Sequence, residues 1–327
     1  MPDANLPCLA DIEAAARRIA PFITRTPLLR AERIDHLAGC AVYVKAECLQ
    51  VGGAFKARGA YNAIAKLAAG PDLRGVLAFS SGNHAIAVAR AAKSFSLPAV
   101  LVMPADSPAI KQERVQALGA EIIRYDRRTQ DREAIGSQIA QERGFRLVRP
   151  FDDPDVIAGQ GSAGLEAAED LIAARAEPDI AFICASGGGL CAGVGLALRA
   201  RFPCIEIVPV EPAGHDDIGR SLLCGQRVSN APGVRSFCDA LLVEKMGEMP
   251  FAILRVLGAR AMAIEDHEVR RAMLIAAMEL KLVLEPSGAI ALAAALRGLG
   301  GRTALVIASG GNVDPATYLE ALSAASA

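Results

Sequence analysis

Through the middle of this chain, short apolar runs alternate with longer stretches of helical character, and that alternation leaves few folds open. The runs at 41–45, 75–79, 99–103, 121–125, 145–148, 180–185, 205–210 and 303–308 have the length and Val/Ile/Leu content of strands. Helical patterns occupy 57–69, 83–95, 108–118, 132–143, 154–175 and 190–201. Strands joined through helices pair in parallel, with helices packed on both faces of the sheet. The runs are continuously apolar, as expected of strands covered on both sides. Gly119-Ala120 ends a helix just before a strand, which is ordinary helix punctuation. The last third is Ala- and Leu-rich and largely helical, broken by Pro212, Pro232, Pro250 and Pro286. No internal repeat or low-complexity segment interrupts the pattern.

Composition removes several functional classes. The net charge of −1 and the absence of a basic stripe speak against nucleic acid as a partner. The most apolar stretch, 180–200, is broken by Ser186 and several glycines, so no membrane span is expected. Residues 1–11 lack the basic-then-apolar pattern of a secretory signal. The eight cysteines, at 8, 40, 48, 184, 191, 204, 224 and 238, contain no CxxC pair. They read as buried free thiols of a reducing cytoplasm, with Cys184 and Cys204 inside apolar runs. A disulfide or zinc framework lacks the spacing. With 327 residues, 52% of them apolar, the chain can bury a sizeable core in one large or two medium domains.

In open parallel sheets, ligands bind beyond the carboxyl ends of the strands. Three segments stand at such ends. Ser80-Ser81-Gly82-Asn83-His84 opens a helix, where hydroxyls, an amide and main-chain N–H groups can hold an anion; a simple helix cap uses the same residues. Ser186-Gly187-Gly188-Gly189-Leu190 lets backbone N–H groups converge on a phosphate, although a tight strand-to-helix turn would look alike. Ser309-Gly310-Gly311-Asn312 ends a strand with a hydroxyl able to meet a heterocycle nitrogen, or merely turns into the last helix. Lys56 adds a nucleophile. It lies in Gly52-Gly53-Ala54-Phe55-Lys56-Ala57-Arg58-Gly59-Ala60, among small and apolar neighbours at a helix start. Such surroundings lower an amine pKa, and a neutral amine attacks carbonyls. A lysine, a phosphate loop, a hydroxyl and an anion loop together describe a pyridoxal phosphate site.

The motifs GAFKARGA at 53–60, SSGNHA at 80–85, IAGQG at 157–161, SGGGL at 186–190, EP at 211–212, LEPSGA at 284–289 and SGGN at 309–312 occur in that order across nearly the whole chain. In this the chain resembles the fold-type II pyridoxal phosphate enzymes, and within them the threonine/serine dehydratases and serine racemases. The resemblance implies two open, twisted, mostly parallel sheets flanked by helices, as in the tryptophan synthase β-subunit. It implies a large domain made of 1–70 and 151–327, a small mobile substrate-binding domain at 71–150, and a homodimer. By the same resemblance Lys56 bonds to the cofactor aldehyde and later moves the Cα proton. Phe55 flanks the ring, Asn83 meets the phenolic oxygen, and Ser186, Gly187, Gly188, Gly189 and Leu190 hold the phosphate. Ser309 faces the pyridine nitrogen. Ser80, Ser81, Asn83 and His84 grip the substrate carboxylate. The activity implied is α,β-elimination from L-threonine, L-serine or a related 3-hydroxy amino acid, giving a 2-oxo acid and ammonia. The alternative is a racemase or 3-hydroxyaspartate dehydratase that uses Ser81 opposite Lys56.

Glu211, Asp217 and the carbonyl of His215 resemble that family's divalent cation site, suited to Mg²⁺ or Ca²⁺; a solvated acidic loop is the competing reading. Arg132, in a charge run at 127–133, falls near an arginine that can meet a second carboxylate in the racemase branch; its plainer reading is a solvated helix face. Two positions depart from the family pattern: Ala54 where a serine is usual, and Ile86 where glutamine is usual. Both bear on the substrate and not on the cofactor.

Overall fold

A computed structural model of the chain describes residues 6–326 with the exception of positions 81, 108 and 127. The strands are β1 (Leu28–Leu29), β2 (Val42–Lys45), β3 (Val76–Phe79), β4 (Ala99–Pro104), β5 (Glu121–Tyr125), β6 (Arg146–Leu147), β7 (Ile180–Cys184), β8 (Glu206–Pro212), β9 (Met262–Ile264) and β10 (Ala304–Ile307). They form a six-stranded sheet, β1-β2-β10-β7-β8-β9, and a four-stranded sheet, β5-β4-β3-β6. Every pairing is parallel except β1 with β2. The two-sheet α/β architecture is therefore the one expected. Strands β1 and β9 were not anticipated, because two or three residues at a sheet edge are too short to show a period.

Register explains how distant segments meet. Lys45 of β2, Ile307 of β10, Ile183 of β7 and Pro209 of β8 stand side by side across four parallel strands. The chain just beyond this row holds Ser309, Ser186 and Glu211. The middle strands are sealed on both faces: all of β7 and β10 is buried.

The long helix Pro154–Ala173 is the central strut. Asp153 caps it by accepting from the N–H groups of Asp155 and Val156, and Pro154 sets its first turn. Glycines let two other helices approach its backbone. A Cβ on Gly193, in the helix Gly189–Arg201, would come within 2.3 Å of the Ile157 carbonyl oxygen. A Cβ on Gly159 would come within 2.6 Å of the Arg58 carbonyl oxygen, in the helix Lys56–Ala68. The helix that starts at Lys56 and the helix that starts after the 186–188 glycine turn are thus both keyed to one strut.

The apolar core below the four-stranded sheet also recruits Ile19, Ala57, Ile64 and Val156 from outside 71–150. No helix among the described residues is long and apolar enough to cross a membrane. All eight cysteines are unpaired. Cys48, Cys184, Cys191 and Cys238 are buried as expected, but Cys8, Cys204 and Cys224 are exposed. Cys204 lies in the turn between the helix Gly189–Arg201 and β8, where a connection runs over the surface.

Candidate active site

A cavity of about 840 Å³ opens between the two sheets at the carboxyl ends of their strands. Phe55, Lys56, Ser80, Asn83, His84, Ser186 to Leu190 and Ser309 all line it. The three strand-end motifs and the lysine therefore share one site.

Lys56 is the first residue of the helix Lys56–Ala68. Its Nζ donates to the Pro150 carbonyl oxygen at 2.7 Å and sits 5.1 Å from the centre of the Phe55 ring. Burial lowers its pKa from 10.5 to about 8. An amine with such a pKa is partly neutral near physiological pH, which a carbonyl nucleophile requires.

Two residues on, Arg58 ties the start of this helix to the fold. Its fully buried guanidinium donates to both carboxylate oxygens of Glu47, at 2.8 Å each, and to both of Glu166, at 2.7 and 2.8 Å. A fifth bond reaches Ser162 Oγ at 3.1 Å. Lys45 Nζ also reaches Glu166 Oε2, at 2.9 Å. Arg58 stood in plain view in the sequence as the neighbour of Lys56, but its partners lie 11 and 108 residues away.

The glycine turn at 186–189 is shaped by sterics. Gly188 adopts φ +87°, a conformation that favours glycine, and a Cβ there would meet the Pro250 Cβ at 2.8 Å. A Cβ on Gly187 would enter the Phe151 ring at 2.2 Å. The helix Gly189–Arg201 begins directly after this turn with no side-chain cap. Its first N–H groups and the positive end of its dipole are left for an anion. The Ser186 hydroxyl accepts from the Val243 N–H at 3.2 Å. A bare helix start of 13 residues, a neighbouring lysine and a hydroxyl across the cavity fit the phosphate, aldehyde and ring of pyridoxal phosphate.

Asn83 is held at both ends of its amide. Its Nδ2 donates to Glu285 Oε1 at 2.6 Å, and its Oδ1 accepts from Asn312 Nδ2 at 2.8 Å. Asn312 also donates to the Gly52 carbonyl oxygen at 2.7 Å, which links three motifs. Ser80 Oγ accepts from the Gly82 N–H at 3.2 Å, and the helix Asn83–Ser94 begins without a side-chain cap. The N-cap position is Gly82, which has no side chain, so the first N–H groups of this helix carry no side-chain cap from that position. Ser81 lies outside the described residues. His84 is buried, and its Nε2 contacts the Val148 carbonyl oxygen at 2.9 Å. Burial, aided by the charge on Lys56, pushes its pKa down to about 3, so the imidazole is neutral.

Arg132 begins the helix Arg132–Arg143 and lines the cavity, with its guanidinium 3.9 Å from Glu133. Arg149, which sequence reasoning passed over, lines the same cavity beside Pro150. It is exposed there, with no hydrogen bond or ion pair among the described residues. Cys184 is a further lining residue that no motif announced, and Glu285, inside the 284–289 motif, lines the cavity although no role was read for it in the sequence.

The candidate cation site lies away from Lys56, at the end of β8. Glu211 accepts from the N–H groups of Ile218 and Gly219, at 2.9 Å each. Asp217 accepts from Asn230 Nδ2 and the Met246 N–H, at 2.8 Å each. Burial raises Glu211 to about 8 and Asp217 to about 6. The His215 ring turns instead toward the Val234 carbonyl oxygen at 2.9 Å. Among the described residues no three His, Cys, Asp or Glu side chains converge as a metal cluster. Both carboxylates are buried, and the charge of Asp217 acts on Glu211.

The family model described as "Pyridoxal-phosphate dependent enzyme" matches residues 19–310. The chain belongs to this family. Among its relatives, the L-threo-3-hydroxyaspartate ammonia-lyase of Saccharomyces cerevisiae is 40% identical, over 97% of each chain. The serine racemase of Oryza sativa subsp. indica is 38% identical, over 95% of this pyridoxal-phosphate dependent enzyme and 92% of the rice protein. The solved structure of maize serine racemase superposes with a TM-score of 0.90 at 36% identity, covering 97% of both chains.

Proposed function

We propose that this enzyme is a deaminating dehydratase that removes the β-hydroxyl of a 3-hydroxy amino acid and releases a 2-oxo acid and ammonia. The observation that carries this reading is the shared cavity: the Lys56 amine, the bare helix start at 186–190 and the Ser309 hydroxyl line one space. When bound there, the cofactor supplies an electron sink that loosens the Cα proton and the β-substituent. Lys56 Nζ would move the Cα proton, and its lowered pKa suits that work near neutral pH. Asn83, fixed by Glu285 and Asn312, would orient the phenolic oxygen. The uncapped first turn of the helix Asn83–Ser94, with Ser80, would hold the substrate carboxylate. Segment 71–150 brings Ser80, Asn83, His84 and Arg132 to the cavity, and we assign it as the small domain that closes over substrate.

Arg149 and Arg132 on the cavity wall favour a substrate with a second carboxylate, such as 3-hydroxyaspartate, alongside L-serine and L-threonine. The racemase reading draws support from the rice and maize relatives and from Ser81 in the sequence. Glu211, Asp217 and the His215 carbonyl would take Mg²⁺ or Ca²⁺, and the enzyme would work as a cytoplasmic homodimer.

The test is a panel of L-serine, L-threonine and both diastereomers of 3-hydroxyaspartate, offered to the cofactor-loaded enzyme with and without Mg²⁺. Ammonia, 2-oxo acid and chirally resolved amino acid are scored. Ammonia release that vanishes in Lys56→Ala supports the dehydratase; D-serine as the dominant product from L-serine overturns it in favour of the racemase.

A further inference from the structure

Cys184 is the last residue of β7, and Ser309 lies just past β10, the neighbouring parallel strand. Both side chains are buried and both line the cavity. Cys184 Sγ donates to Ser309 Oγ at 3.1 Å, against 3.4 Å for the thiol contacts of nearby Cys191. The hydroxyl of Ser309 reaches toward the Ser287 carbonyl oxygen at 3.4 Å. That is long for an O–H···O bond, which runs about 2.5–3.0 Å. The Ser309 proton is therefore weakly committed, while one of its acceptor positions is taken.

We propose that Cys184 is a positioning residue: by donating to Ser309 Oγ it turns the Ser309 proton into the cavity, so that Ser309 meets the cofactor's ring nitrogen as a hydrogen-bond donor. The inference rests on the functional reading above. A hydroxyl has one proton to give and two lone pairs to offer, so alone it could either donate to a bare ring nitrogen or accept from a protonated one. The thiol removes that symmetry. The chain then runs in one direction, from S–H to O–H to ring nitrogen, and each bond polarises the next. Burial pushes the Cys184 thiol up to about 11, so it remains a donor throughout the working range. A ring nitrogen held unprotonated is a weaker electron sink. Rapid loss of a β-substituent tolerates this better than a long-lived carbanion does. Cys184 would thus bias the site toward elimination and away from racemisation.

The test compares wild type with Cys184→Val, which loses the donor, Cys184→Ser, which keeps one, and Ser309→Ala. In the protein without cofactor, the infrared S–H stretch assigned by difference against Cys184→Ser should shift toward the unbonded position in Ser309→Ala. In protein loaded with ring-¹⁵N cofactor, the nitrogen resonance should move toward the protonated position in Cys184→Val and stay in place in Cys184→Ser. The ratio of racemisation to elimination should rise several-fold in Cys184→Val and return in Cys184→Ser. An S–H band indifferent to Ser309, or a ¹⁵N shift equal in wild type and Cys184→Val, overturns the proposal while leaving the functional reading intact. Failure of the wild type to take up cofactor overturns the functional reading and this proposal with it. Should Cys184→Val fail to fold, the infrared comparison with Ser309→Ala decides alone.

Discussion

Replacing Arg58 by Met removes five hydrogen bonds, three of them fully buried, and the positive centre of an ion cluster. Glu166 keeps Lys45 as a partner. Glu47 is different: it is fully buried and would be left with the Thr26 hydroxyl, at 2.6 Å. Stranding one member of a buried pair costs about 3–5 kcal/mol. Against total stabilities of about 5–15 kcal/mol, that is a large fraction. Urea unfolding followed by circular dichroism reads the loss as a lower midpoint at unchanged slope. The double variant Glu47→Leu with Arg58→Met should recover much of it, because no stranded carboxylate remains. Cofactor affinity should fall in the single variant, since Arg58 anchors the helix turn that begins with Lys56. A loss below about 1 kcal/mol in Arg58→Met, or a double variant no more stable than the single, would refute the argument from stranded charge.

Three other outcomes follow from the geometry. A fall in the Lys56 pKa from 10.5 to about 8 is worth up to about 3 kcal/mol, lost as pH drops through that window because the unfolded chain then binds the proton and the fold does not. Cofactor-free Lys56→Met should therefore be more stable than cofactor-free wild type at pH 7, with the gap closing toward pH 10.5 in pH-resolved urea melts. Gly188→Ala combines a left-handed φ with a Cβ 2.8 Å from Pro250. A strain of about 1–3 kcal/mol should weaken cofactor binding roughly tenfold or more by equilibrium dialysis. Arg149→Ala should raise KM for 3-hydroxyaspartate about tenfold or more while leaving KM for L-serine within about twofold, measured by coupled ammonia release.

The architecture was legible because its strands are buried on both faces and so read as unbroken apolar runs; all eight anticipated strands stand within a residue or two of their expected places. The strand-end residues that line the cavity were legible because glycine turns and strand-end hydroxyls are local features. What escaped was pairing over distance. Nothing near Lys56 in the sequence points to the Pro150 carbonyl 94 residues on, and nothing near Asn83 points to Glu285, 202 residues away. Arg149 escaped for another reason: an exposed arginine after a short strand looks like any surface cation until the cavity is seen. The burial expected for Cys204 failed because an apolar run that ends in a turn loses its cover there.

The strut helix Pro154–Ala173 has a consequence for how this enzyme can diversify. The helix that begins with Lys56 and the helix that follows the 186–189 glycine turn both lean on it through glycines that admit no added carbon. Mutation therefore has little freedom to alter one of these two cavity walls without disturbing the other. The walls contributed by Ser80, Asn83, His84, Arg132 and Arg149 lie outside that clamp. New substrate preferences can accumulate there while the bond-breaking apparatus stays as it is, so a single scaffold can serve lyases and racemases alike.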